Sequence, residues 1–166
     1  MRIAFFGTST FAVPVLARLA RSRHGVTLVV TRPDAEKGRG RKVEASPVAN
    51  LASELGLPTH KPARVNAPES VDVIRAADAD FFVVVAYGQI LREPLLSLAP
   101  LGIVNLHGSL LPHLRGAAPI ARAIQRGEAT TGVTLQFLKL ELDAGDVIDA
   151  EPMAILEDRE PVAELV

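Results

Sequence analysis

Asp80–Gly88, DFFVVVAYG, is the most apolar run of the chain, and its reading decides the fold. Its apolar residues follow one another without the alternation of a strand that faces water on one side. The run therefore predicts a central parallel strand covered on both faces. Working outward, RIAFF (2–6) and VTLVV (26–30) are two further short runs of β-forming residues. Between them lies FAVPVLARLARS (11–22), in which Phe11, Val15, Leu16 and Leu19 share a helical face at spacings of three and four. Ser9 or Thr10 is placed to cap that helix, and Pro14 lies early enough to cost little hydrogen bonding. Strand, helix and strand together make a βαβ unit. The same reading gives helices at 45–57, 70–79 and 117–127 and strands at 102–107, 131–142 and 147–155. Pro152 puts the last strand near an edge. The alternation predicts an α/β fold with a Rossmann-like, doubly wound, mostly parallel sheet.

The chain has 166 residues, enough for one domain that buries roughly 70% of its unfolded surface. Hydrophobic residues make up 48% and charged residues 22%, the balance of a soluble globular protein. A net charge of −1 gives no global case for nucleic-acid or membrane binding, so a basic partner surface has to be local. The absence of cysteine excludes disulfides, thiolate metal sites and a cysteine nucleophile. MRIAFFGTS is too short and wrongly followed for a signal peptide or a membrane span, so a cytoplasmic protein is expected. At the far end, Asp158 can cap a helix containing Pro161, Val162, Leu165 and Val166, but the sequence stops after about one and a half turns. A helix so short is marginal alone, and the chain looks cut.

The polar groups concentrate in IVNLHGSLLPHLRGAAPI (103–120). Side chains alternate along a strand, so Asn105 and His107 point to one face near its carboxyl end, where ligands bind in open α/β sheets. Gly108 permits a sharp turn, and Ser109 and Pro112 shape the loop behind it. A lone histidine at a strand end is often structural; the Asn-x-His pair points towards a site. Further along, ELDAGDVI (141–148) sets Asp143 and Asp146 around Ala144-Gly145, which is also ordinary turn chemistry. Amide, imidazole and carboxylate together suit acyl transfer: a donor for a developing oxyanion, a proton carrier, and an anion to orient it. PDAEKGRGRK (33–42) packs Lys37, Arg39, Arg41 and Lys42 around two glycines, either as a solvated loop or as a set of phosphate contacts.

Five segments in order carry a resemblance: FFGTSTFAVPVL (5–16), VVTRPDAEKGRGRKVEASPV (29–48), VVVAYGQIL (83–91), NLHGSLLPHLRGAAPI (105–120) and LDAGD (142–146). The chain resembles the folate-dependent formyltransferases over its whole length, and within them the methionyl-tRNA formyltransferase branch. The resemblance implies a catalytic trio at Asn105, His107 and Asp143, with Asp146 a near neighbour. It implies 10-formyltetrahydrofolate as formyl donor and the α-amine of initiator methionyl-tRNA as acceptor, with no metal. By the same likeness the backbone around Gln89 and Leu91 binds the pterin and Ile90 helps enclose it. Ser109, Leu110, Leu111 and Pro112 wall the same cleft, although Leu110 and Leu111 also suit the core. Lys37, Arg39, Arg41 and Lys42 approach the tRNA. Residues 1–166 would be a catalytic domain incomplete at its C-terminal end, without the family's C-terminal β-barrel, and a monomer. The rival readings are a sugar-nucleotide N-formyltransferase, behind it a glycinamide ribonucleotide formyltransferase, and a folate-binding fragment without catalysis. One departure stands out: Lys139 and Glu141 occupy positions where the tRNA-directed family often has Asp and Gly.

Overall fold

A computed structural model describes residues 1–37 and 42–156. The chain is an α/β protein with a mostly parallel sheet, and it divides into two compact units, Met1–Ile103 and the part from Val104 onward.

The first unit contains β1 (Arg2–Gly7), α1 (Val13–Ala20), β2 (Gly25–Val30), β3 (Ala35–Lys37), β4 (Lys42–Glu44), α2 (Pro47–Glu54), β5 (Thr59–His60), α3 (Pro68–Ala76) and β6 (Phe81–Val85). Strands β5, β2, β1 and β6 lie in that order, and every pairing among them is parallel. The two uninterrupted apolar runs sit side by side, with Ile3 opposite Phe81 and Phe6 opposite Val84. Phe5, Phe6 and Phe82 are at most 1% exposed. This is the physical reason the runs do not alternate: both faces of a central parallel strand are covered. Burying each such ring contributes ~1.5–3 kcal/mol. Phe6 packs on Phe82 with ring centroids 5.1 Å apart and meets Tyr87 edge-on at 5.7 Å. From the helices, Leu16, Val48, Ala52, Val71 and Ile74 complete the buried set.

Several expectations need correction here. Ser9 does not cap α1 through its side chain; its carbonyl accepts from the Ala12 N–H at 3.0 Å, starting a 3-10 turn over Thr10–Ala12 that leads into α1. The basic segment is not wholly an irregular loop, because β3 and β4 pair antiparallel, with Lys37 opposite Lys42. Arg39 and Arg41 lie outside the described residues, as does the expected terminal helix with Pro161 and Leu165. His60 is half-buried, with its Nε2 3.0 Å from Ser70 Oγ. Burial lowers its pKa.

The second unit contains β7 (Ile103–His107), α4 (Pro119–Gln125), β8 (Thr130–Phe137) and β9 (Val147–Ala154), with the strands in that order and antiparallel. β9 is the outer strand, and Pro152 sits opposite Gly132, in keeping with a proline that cannot donate to a ladder. β8 ends at Phe137, short of the predicted 142. The Phe137 N–H instead donates to the Asp146 carbonyl at 3.0 Å, closing a loop over 138–145. Leu140 and Leu142, which continue the alternating pattern in sequence, are 72% and 57% exposed on that loop. Among the described residues no helix is long and apolar enough to cross a membrane.

Candidate active site

The antiparallel register of β7 and β8 sets out the site. Asn105 lies opposite Gln136 and His107 opposite Thr134, so these four side chains share one face of the second unit. Asp143 enters from the 138–145 loop in a left-handed conformation, φ 48°. A non-glycine residue tolerates this region only when its surroundings hold it there. They do so through hydrogen bonds. Asp143 Oδ2 accepts from the Gly116 N–H at 2.7 Å, and Oδ1 accepts from Gln136 Nε2 at 3.2 Å and Asn105 Nδ2 at 3.4 Å. His107 Nδ1 lies 3.6 Å from the same Oδ1, and both side chains are less than a tenth exposed. Asn105, His107 and Asp143 are therefore brought together, although 143 lies far from the other two in sequence.

The orientation of His107 follows from its second contact. Its Nε2 is 3.0 Å from the Leu114 carbonyl, which can only accept, so Nε2 carries a proton. With that bond kept, a neutral ring shows the Nδ1 lone pair to a carboxylate oxygen. A doubly protonated ring donates to both partners. The site can thus hold an imidazolium between a carbonyl and a carboxylate, beside an amide with a second N–H to offer. Such a set can stabilise developing negative charge on an oxygen and move a proton. Asp146 has no part in it. Its carboxylate is 80% exposed and meets Lys139 Nζ at 3.0 Å.

The loop after β7 is shaped from below. Thr134, fully buried, donates its hydroxyl to the Ser109 carbonyl at 2.7 Å and accepts the Leu111 N–H at 3.0 Å. Ser109 is 1% exposed and donates to the His113 carbonyl at 2.6 Å, so its hydroxyl closes the loop on itself. Leu110 and Leu111 are half-buried and Pro112 is exposed, so neither leucine is a fully buried core residue. Leu110 lies across Gly132, where a Cβ would come within 2.7 Å of it and 2.2 Å of the Glu151 carbonyl oxygen. That glycine is the condition for the loop to settle on β8. Leu114 and Ala118 take positive φ of 55° and 52° in the same stretch, so backbone strain gathers around His107.

In the first unit, Gln89 is half-buried, and its amide bridges a neighbouring segment. Its Oε1 accepts from the Val65 N–H at 2.9 Å and its Nε2 donates to the Pro62 carbonyl at 3.1 Å. Asn66 clasps the next residues, donating to the Ile90 carbonyl at 2.8 Å and accepting from the Arg92 N–H at 2.9 Å. Leu91 is 3% exposed, whereas the Ile90 side chain, 59% exposed, is held out by this fixed backbone. Of the basic segment, Lys42 is exposed at the start of β4.

Sequence reading passed over Gln136, Thr134 and the Gly116 N–H. The first two left a signal: two polar side chains at i and i+2, interleaved with the apolar Val133, Leu135 and Phe137, on the face that is buried. The buried face of β8 is the polar one, while Phe137 on the other face is 43% exposed. A backbone N–H leaves no mark in sequence.

A family described as formyl transferase matches residues 1–165. The methionyl-tRNA formyltransferase of Methylococcus capsulatus is 49% identical over 158 residues, covering 95% of this chain and 51% of that protein. That of Ruminiclostridium cellulolyticum is 44% identical over 158 residues, again 95% of this chain and 51% of its own length. The chain spans about half the length of the curated relatives it matches. Among solved structures, phosphoribosylglycinamide formyltransferase from Bacillus halodurans superposes with a TM-score of 0.77 at 24% identity, over 99% of this chain and 85% of that one. The enzyme of the same name from Anaplasma phagocytophilum gives 0.78 at 23%, over 99% and 77%. At these identities the likeness is one of fold.

Proposed function

The chain belongs to the formyl transferase family, and from that premise we propose that it transfers a formyl group from 10-formyltetrahydrofolate to the α-amine of methionyl initiator tRNA in the cytoplasm, as a monomer. The observation that carries the reading is the meeting of Asn105 and His107 at one buried carboxylate oxygen of Asp143. The neutral amine attacks the formyl carbon, forming the new C–N bond, and the carbonyl oxygen takes up negative charge. The second N–H of Asn105 donates to that oxygen, and the charge of the protonated His107, whose two N–H groups are held by Leu114 and Asp143, stabilises it through space. The bond from carbon to N10 then breaks, and the amine's proton passes to N10 with Asp143 and His107 as relay. For the donor's pterin we assign the backbone at Gln89 and Leu91 with Ile90 over it in the first unit, and Ser109–Pro112 in the second unit as the loop beside the reacting trio. The clasp of Asn66 on residues 90–92 supports the first part, since a fixed backbone can present its amides without further ordering.

The deciding experiment offers the chain labelled formyl donor with charged initiator tRNA in one arm and an amino-sugar nucleotide in the other. Label is expected in N-formylmethionyl-tRNA alone. Label in the sugar nucleotide instead would transfer the assignment to the rival enzyme class. Folate-analogue binding with no acceptor formylated would leave a binding module.

On the RNA side, Lys37, Arg39, Arg41 and Lys42 are the proposed phosphate contacts. Arg39→Ala is expected to raise KM for charged tRNA about tenfold and to flatten its salt dependence, the signature of a lost phosphate contact. Affinity for folate should not change. A matching loss of folate affinity would remove Arg39 from the RNA surface.

A further inference from the structure

Gln136 is 2% exposed, next to the last residue of β8 and directly opposite Asn105. Its Nε2 donates to Asp143 Oδ1 at 3.2 Å, a shorter approach than Asn105 or His107 makes to that atom. Its Oε1 is buried and has no hydrogen-bond partner among the described residues. Turning the amide over would not help, because its oxygen would then face a carboxylate oxygen at the same distance. The carboxylate therefore fixes which end of the amide points inward, and the other end is left without a donor. A buried acceptor in that state lowers stability, and an apolar side chain of the same shape would avoid the loss. Packing alone gives no reason for glutamine here.

We propose that Gln136 is a positioning residue for the reaction: its amide holds the Asp143 carboxylate where His107 and Asn105 meet it. The inference rests on the formyl-transfer reading for its kinetic consequence, but the geometric role stands by itself. Asp143 sits on a loop, in a left-handed backbone conformation, and is tied by Gly116 through one oxygen only. That bond on Oδ2, with only the longer 3.4 Å bond from Asn105 on Oδ1, leaves the carboxylate room to turn. Gln136 reaches the second oxygen from a strand, the stiffest element nearby, and removes that freedom.

Two isosteric variants test this. Gln136→Met keeps the volume and removes both the donor and the unpartnered acceptor. Its Tm should equal or exceed that of the parent, while kcat falls about tenfold, the size of one hydrogen bond to a charged group, with KM for the folate donor unchanged. Gln136→Glu keeps the shape but replaces the donor by an oxygen facing Asp143, and should fall further than Gln136→Met. A residue that merely fills space would show the reverse pattern, with stability moving and kcat standing still. The backbone amide proton of Gly116, bonded to Asp143 Oδ2, gives a readout by NMR that needs no turnover. It should move upfield in Gln136→Met as the carboxylate loosens. If the parent chain forms no formylated product yet the Gly116 resonance moves, the functional reading fails and the positioning role survives. A Gly116 resonance unmoved in Gln136→Met, with kcat at the parent value, overturns the proposal.

Discussion

Replacing His107 with alanine is expected to lower formyl transfer at least about a hundredfold, the effect of removing one preorganised charge from beside a developing oxyanion. Asn105→Ala should do the same. Neither change should disturb the rest of the arrangement. Without His107, Asp143 still accepts from Gly116, Gln136 and Asn105. Without Asn105, it still has Gly116 and Gln136. The Gln89 and Asn66 bonds in the first unit are not touched by either substitution. The loss should therefore fall on kcat, read by single-turnover formylation, while a fluorescent folate analogue binds both variants as it binds the parent. Turnover near the parent value in both would end the assignment of this face as the reaction centre. Weak analogue binding in both would point instead to a general loss of structure.

What the sequence made legible, and what it hid, follows from how each feature is encoded. The run FFVVV announces its own environment, because only a strand covered on both faces can afford five consecutive apolar side chains, and β6 is that strand. Asn105 and His107 were legible for a local reason as well, since a period of two puts them on one face whatever surrounds them. Asp143 was not legible by periodicity. It sits across a loop and joins the pair only when β8 folds back on β7, so residue chemistry offered it beside Asp146 and the resemblance chose between them. The Leu138-x-Leu140-x-Leu142 pattern misled for the same reason that alternation usually helps. It mimics a strand, but the ladder stops where Phe137 turns its N–H to Asp146. The hairpin of β3 and β4 stayed hidden because a run of charged residues and glycines carries no apolar pattern. Ser9 looked like a helix cap by type, yet α1 is entered through a 3-10 turn that takes the serine carbonyl instead.

The departure at Lys139 and Glu141 bears on what shapes the 138–145 loop. Lys139 does bridge the loop to Asp146, but the partners are 50% and 80% exposed, and such a pair contributes about 0–1 kcal/mol. Glu141 is exposed and has no partner among the described residues. Neither side chain can be what holds Asp143 in a left-handed conformation. The closing contact is made by backbone, the Phe137 N–H on the Asp146 carbonyl, with Gly145 lying against the Phe137 carbonyl.

Gly145→Ala should consequently be the most damaging small substitution in the second unit. A Cβ at this position would stand 1.6 Å from the Phe137 carbonyl oxygen and 2.7 Å from its carbon, and no Cβ settles within 3.0 Å of another heavy atom. The obstacle is backbone in a strand, so it cannot swing aside as a side chain could. The loop has to retreat by more than an ångström, which breaks the 3.0 Å bond from the Phe137 N–H to the Asp146 carbonyl. Asp143, two residues upstream, retreats with it, away from His107 and Asn105. A displacement of about 1 Å can cost 10²-fold in rate, so kcat should fall at least about a hundredfold. Gly127→Ala supplies the control. Gly127 has φ +66° with nothing within 4 Å, so alanine there meets no atom and suffers only the left-handed backbone cost of roughly 1–2 kcal/mol. Thermal melts and formylation rates on the pair separate the two effects, since Gly127→Ala should lower Tm and keep its kcat, whereas Gly145→Ala loses both. Equal rates in the two variants would mean that the carboxylate of Asp143 does not need its place beside His107, and the proposed chemistry would lose its third member.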